Sequence, residues 1–138
     1  LGATVSRNPV REIGWGAVTV ADDPLARQWF GARQGFEAFH WHGETFALPA
    51  GAVPLLSSPA CRNQAYAIGP HLAMQCHIEM TAAMVATWAT LGRDEIAAHP
   101  SPTVQSAEAM QVDLPQRVQA LNAIAERVYS RWVAGLRD

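Results

Sequence analysis

The sequence predicts a mixed α/β domain, with short strands through its first two-thirds and helices in its last third. Three observations carry this. Apolar segments in partial period-two alternation, punctuated by Gly, Pro and Asp, run from residue 11 to residue 77. After Glu79 the apolar residues fall at helical spacing instead. The 138 residues, 49% of them hydrophobic, suit one core, so residues 1–138 are expected to form a single domain.

The elements follow in order. REIGWGAVTV (11–20) carries β-branched and aromatic residues and ends at ADDP, a strand and its stop. DPLARQWFGARQG (23–35) is a short helix, with Asp23 as N-cap, Pro24 in the first turn and Gly35 as the stop. FEAFHWHG (36–43) returns to strand, and ETFALPAG ends it in a Pro/Gly turn. AVPLLSS (52–58), NQAYAIG (63–69) and HLAMQCH (71–77) are further short strands, the last two joined tightly through Gly69 and Pro70. Thr81 caps a helix whose Met84, Val85, Trp88 and Leu91 share a face, and RDEIAAH continues it after Gly92. Residues 99–116 are a Pro- and Ser-bearing connection with at most a short helix. Residues 116–136 form an amphipathic C-terminal helix with Val118, Leu121, Ala125, Val128 and Trp132 on one stripe.

Composition narrows the function. A formal net charge of -2 with no basic run argues against a nucleic-acid partner. No apolar run reaches the roughly 18 residues of a membrane span, so no membrane partner is expected. The first residues lack the charged and apolar regions of a signal peptide. Two cysteines, Cys61 and Cys76, outside any CxxC, fit a reducing cytoplasm better than a disulfide scaffold.

Two histidine stretches carry the chemistry. In QCHIEM, His77 and Glu79 point the same way on an extended chain, so the carboxylate can accept an imidazole N–H and make the ring a better base. The same spacing describes an ordinary surface pair. In FHWHGE, His40, His42 and Glu44 share one face, and Phe39 and Trp41 take the other. A His-x-His pair with His77 or Glu79 as third ligand could hold a metal, but the alternating aromatic residues are those of a half-buried strand. Neither a metal nor a cofactor is therefore expected. Cys76, adjacent to His77, should face away from it into the core. Cys61, beside Arg62, reads as a loop residue.

FHWHGETFALPAGA, then SSPACRNQAYAIG, then MQCHIEMT, in that order, resembles the C-terminal half of class I glutamine amidotransferases. The nearest likeness is to stand-alone members similar to the glutaminase part of GMP synthase. His42, Gly43, Glu44, Leu48 and Pro49 match one motif of that family, and His77 with Glu79 matches another. The resemblance implies part of a flavodoxin-like mixed sheet with flanking helices. It also implies a Cys-His-Glu triad that hydrolyses L-glutamine to glutamate and ammonia. His77 would be the general acid/base and Glu79 its orienter. Trp41, His42 and Gly43 would border the glutamine pocket, and ammonia would pass to a synthetase domain or subunit.

One departure matters. The family's nucleophile lies in a Gly-x-Cys-x-Gly turn, and no such motif occurs here. The expectation is that the cysteine lies upstream and that the 138 residues alone are inactive. Two other readings stand beside this one: a binding or regulatory module that keeps the fold without turnover, and a metal-binding domain built on His40, His42 and His77.

Overall fold

The computed structural model describes residues 1–136. Five strands, β1 (Val5–Val20), β2 (Gly35–Phe46), β3 (Val53–Ser57), β4 (Ala65–Ile68) and β5 (His71–Met74), form one sheet in the order β2-β1-β3-β4-β5. Every neighbouring pair is antiparallel. The sheet also curls. Just beyond β5, His77 pairs with Phe39 of β2, the strand at the far end of the order. The two residues exchange both backbone bonds, Phe39 N–H to His77 O at 3.2 Å and His77 N–H to Phe39 O at 2.8 Å. An edge that would otherwise present bare N–H and C=O groups is thereby partly closed.

Helices α1 (Pro24–Phe30), α2 (Ala82–Leu91), α3 (Arg93–Ala98) and α4 (Leu114–Ala134), with a 3-10 turn at Ala109–Gln111, flank this sheet. The α/β class, with strands first and helices last, is thus the observed one. Leu121, Ile124, Ala125 and Val128 are the buried stripe of α4, whereas Trp132 near its end stays about half exposed. Between α3 and α4 the connection is not idle. Ile13 N–H donates to Thr103 O and Gln105 N–H to Ile13 O, so residues 103–105 occupy the open flank of β1 as a short parallel bridge. The Trp15 indole N–H reaches Met110 O at 2.9 Å and ties the 3-10 turn to the core.

Strand β5 ends at Met74, short of the expected residue 77, and α4 runs Leu114–Ala134, two residues earlier at each end than expected. Three further differences have a local reason. Strand β1 starts at Val5 rather than residue 11, because a register shift between Arg7 and Glu12 adds residues and erases any period-two signal there. Helix α1 ends at Gly31 rather than Gly35. Gly31 takes φ 81°, a left-handed stop that lets its N–H close on Arg27 O. Gly35 instead opens β2, where an added Cβ would sit 2.4 Å from Val18 O. Helices α2 and α3 are separate because Gly92 lies under the Trp41 indole.

A Cβ at Gly92 would fall 2.1 Å from Trp41 Cζ2. Trp41 packs edge-to-face on Trp88, ring centroids 5.9 Å apart, so the indole has little room to yield. Gly92→Ala should therefore destabilise the fold by about 1–3 kcal/mol through overpacking. Urea unfolding checks this: the midpoint should drop at constant slope, and an unchanged midpoint would show that the indole moves freely.

Candidate active site

His77 owes its position to the Phe39 pairing. Residues opposite each other in an antiparallel pair project to the same side, so the His77 ring joins the Phe39 and Trp41 side of β2. There it meets Trp88 of α2 edge-on, centroids 5.0 Å apart, while Phe39 packs on the same indole at 6.1 Å. Thr81 fixes the start of α2 by accepting the Met84 N–H at 3.2 Å, which sets where Trp88 falls.

Glu79 lies two residues on, and its Oε1 is 2.7 Å from His77 Nδ1. The other carboxylate oxygen accepts the Ile78 N–H at 3.0 Å, so the group is held at both ends. An ionised carboxylate only accepts, so the hydrogen bond places the proton on Nδ1 and leaves Nε2 free to take or give one. Both side chains are partly exposed, and they line a cavity of about 420 Å³ with Leu72, Met74, Tyr129 and Trp132. Burial, and then the Glu79 charge, push the Tyr129 phenol above its ordinary value, so it stays a neutral hydroxyl facing the dyad's cavity.

Trp41, His42 and Gly43 sit further along β2 and line a different opening, with Arg7, Arg11 and Glu95. The Trp41 indole N–H donates to Glu95 Oε2 at 2.9 Å, and Arg11 holds the other oxygen of that carboxylate at 2.5 Å. The backbone of 41–43 continues directly from the residue that pairs with His77. The His42 side chain, though, turns to the opposite face of the sheet.

That face carries a buried polar cluster. Glu12, 6% exposed, is the register partner of His42 and lies 3.1 Å from its Nε2. Glu12 also accepts from Ser58 Oγ and from Gln64 Nε2, each at 2.7 Å. Burial by itself would raise the Glu12 carboxyl. The hydrogen bonds from His42 and Ser58, with the two nearby imidazoles, outweigh it and hold the group below its ordinary value. His40 stacks beside His42, centroids 5.9 Å apart, and burial pushes its imidazole below its ordinary value despite the Glu12 charge. The set His40, His42 and His77 is not assembled, because His77 projects with Phe39 and the other two project away from it. Glu12 had no place in the site expected from the sequence. Its signal was an acidic residue at the head of the largely apolar run EIGWGAVTV.

Both cysteines are buried free thiols, and Cys76 borders the same cavity as His77 and Glu79. Cys76 is buried, and desolvation pushes its thiol up to about 12. Cys61 is buried as well, with Thr45 Oγ1 at 3.3 Å and Gln75 Nε2 at 3.5 Å from its sulfur.

Solved structures of the same shape give this geometry a context. The fold superposes on a glutamine amidotransferase from Methylobacillus flagellatus with TM-score 0.93 and 41% identity, over 97% of this chain and 56% of that one. In sequence and fold the chain is similar to glutamine amidotransferases. A second such protein, from Thermotoga maritima, matches with TM-score 0.82 and 26% identity, over 96% of this chain and 55% of that one. A GMP synthase-like protein from Thermoplasma acidophilum shares the fold, with TM-score 0.50 and 23% identity, over 57% of this chain and 40% of that one. No protein-family model and no curated protein matches the chain. The chain spans a little over half the length of the first two relatives.

The cysteine geometry generates a direct test. In the folded chain Cys76 should resist a thiol reagent for as long as the fold persists and react at once in denaturant. Mass mapping of the modified peptide reads this out. Fast native labelling of Cys76 would mean that the thiol reaches solvent and is open to reaction with its neighbour His77.

Proposed function

We propose that this chain supplies the acid/base half of a glutamine-hydrolysing site, with His77 as general acid/base and Glu79 as its orienting carboxylate. The observation that carries the reading is the 2.7 Å contact from His77 Nδ1 to Glu79 Oε1 at the mouth of a cavity, in a chain 41% identical to a glutamine amidotransferase. The nucleophile in this reading is a cysteine outside residues 1–138, since Cys61 and Cys76 are both buried and burial holds the Cys76 thiol protonated.

In this scheme His77 Nε2 takes the proton of the cysteine thiol, and the thiolate attacks the side-chain amide carbon of L-glutamine. The C–N bond breaks, and His77 Nε2 gives the leaving nitrogen the proton it needs to depart as ammonia. Water then attacks the thioester, His77 takes the water's proton, and the C–S bond breaks to release glutamate. Glu79 holds the ring in the tautomer that keeps Nε2 available and offsets the positive charge of the protonated ring. The Trp41–Gly43 strand borders the glutamine pocket through its backbone, while Tyr129 and Trp132 wall the cavity next to the dyad. Ammonia passes to an acceptor on a synthetase domain or subunit, the arrangement suggested by the likeness to a GMP synthase component.

Ammonia release from glutamine, measured on the protein in its natural full length, tests the assignment. His77→Ala should lower kcat by on the order of 10³-fold or more, and Glu79→Gln by about 10²-fold or more with KM little changed. Residues 1–138 expressed alone should release none. Turnover by that piece would place the nucleophile within it, and a fully active His77→Ala protein would remove the histidine from the mechanism. A folded full-length protein that binds glutamine without releasing ammonia would favour a binding module of the same fold.

A further inference from the structure

We propose that Glu12, His40 and His42 form a binding site for one divalent transition-metal ion of the zinc type. The site lies on the sheet face opposite His77 and is independent of the glutamine reading. Each of the three residues offers one ligand atom, and these atoms lie within 4.8 Å of one another. The Glu12 Oε2 to His42 Nε2 separation is 3.1 Å. Ligands about 2.0–2.1 Å from a tetrahedral zinc stand roughly 3.3 Å apart, so this pair already has the edge length of such a site. Two imidazoles and one carboxylate suit zinc and its first-row neighbours, whereas calcium and magnesium take oxygen ligands almost alone.

A Glu12–His42 ion pair without a metal accounts for only part of the cluster. His40 is 1% exposed, and its Nδ1 has no hydrogen-bond partner. Its other ring edge lies against Gly16, with Nε2 3.3 Å from Gly16 O, so the Nδ1 edge is turned away from Gly16. Gln64 is fully buried, and its Oε1 is likewise unpartnered, although its Nε2 is bonded to Glu12. A buried nitrogen lone pair and a buried amide oxygen left unpaired beside a carboxylate are what a cation would satisfy together. Burial also favours the neutral His40 ring, the form that ligates. Gly14 and Gly16, register-aligned with this face, leave a cavity of about 180 Å³ that reaches Glu12 and His40 and gives an ion a way in.

Such an ion would tie β1 to β2 just beyond the irregular stretch between Arg7 and Glu12, behind the strand that carries Trp41 and Gly43. Its role is structural support of that strand.

The test uses metal-stripped protein of natural full length, dialysed against Zn²⁺ and analysed for bound metal. One zinc per chain is expected, with affinity reduced tenfold or more in Glu12→Gln and in His40→Ala, and unchanged in His71→Ala and His99→Ala, which alter exposed histidines. Because a core variant can fail to fold, the unaltered protein is also loaded with Co²⁺. Intense visible d–d absorption from four-coordinate cobalt, displaced by Zn²⁺, supports the site. Absence of stoichiometric zinc, binding unaffected by Glu12→Gln and His40→Ala, or only the weak spectrum of six-coordinate cobalt would each overturn it.

Discussion

One reciprocal pair of backbone hydrogen bonds, between Phe39 and His77, organises the molecule. It joins the strand at one end of the sheet to the chain leaving the strand at the other, and so turns a flat ribbon into a curl. The same pair decides which face His77 occupies. A shift of one residue would send the imidazole to the opposite side of the sheet, away from Trp88 and into the space of His40. The position of the dyad is thus a matter of main-chain register, and side-chain packing against Trp88 refines it.

The alternation along β2 separates two chemistries. Phe39 and Trp41 build an aromatic wall with Trp15, Trp88 and His77, where an imidazole meets a partly exposed carboxylate. His40 and His42 build a buried polar layer with Glu12, Ser58 and Gln64. A charged carboxylate in such a place is tolerated only because several donors converge on it. The loop that brings Ser58, and the start of β4 that brings Gln64, are held against β1 by those bonds. The aromatic layer serves the open cavity, and the polar layer stiffens the strand behind it.

Much of the fold was legible in the sequence because it follows from periodicity and caps. Asp23 and Thr81 cap their helices as the local rule predicts, and the α4 stripe buries Leu121, Ala125 and Val128 while Trp132 stays half exposed. The His77–Glu79 contact was legible for the same reason, since two residues apart on an extended chain leaves few other geometries. What escaped depends on distant partners. Gly35 reads as a helix stop until Val18 O is found against its Cα, and Gly92 as a simple break until the Trp41 indole is found above it. Glu12 reads as an interruption in a strand because its donors come from residues 42, 58 and 64. The triad role came from resemblance, not from spacing, which describes a surface pair equally well.

The closure between Phe39 and His77 also bears on how the chain acquires its chemistry. Hairpins such as β4–β5 form from neighbours in sequence, but this pairing must gather two segments separated by most of the sheet. Contacts of that kind carry a loop-closure entropy that is repaid only once the intervening strands have condensed. The dyad therefore has no local route to assembly. His77 and Glu79 can touch in an unfolded chain, but the wall that orients them exists only once Phe39 and Trp88 are brought to the imidazole.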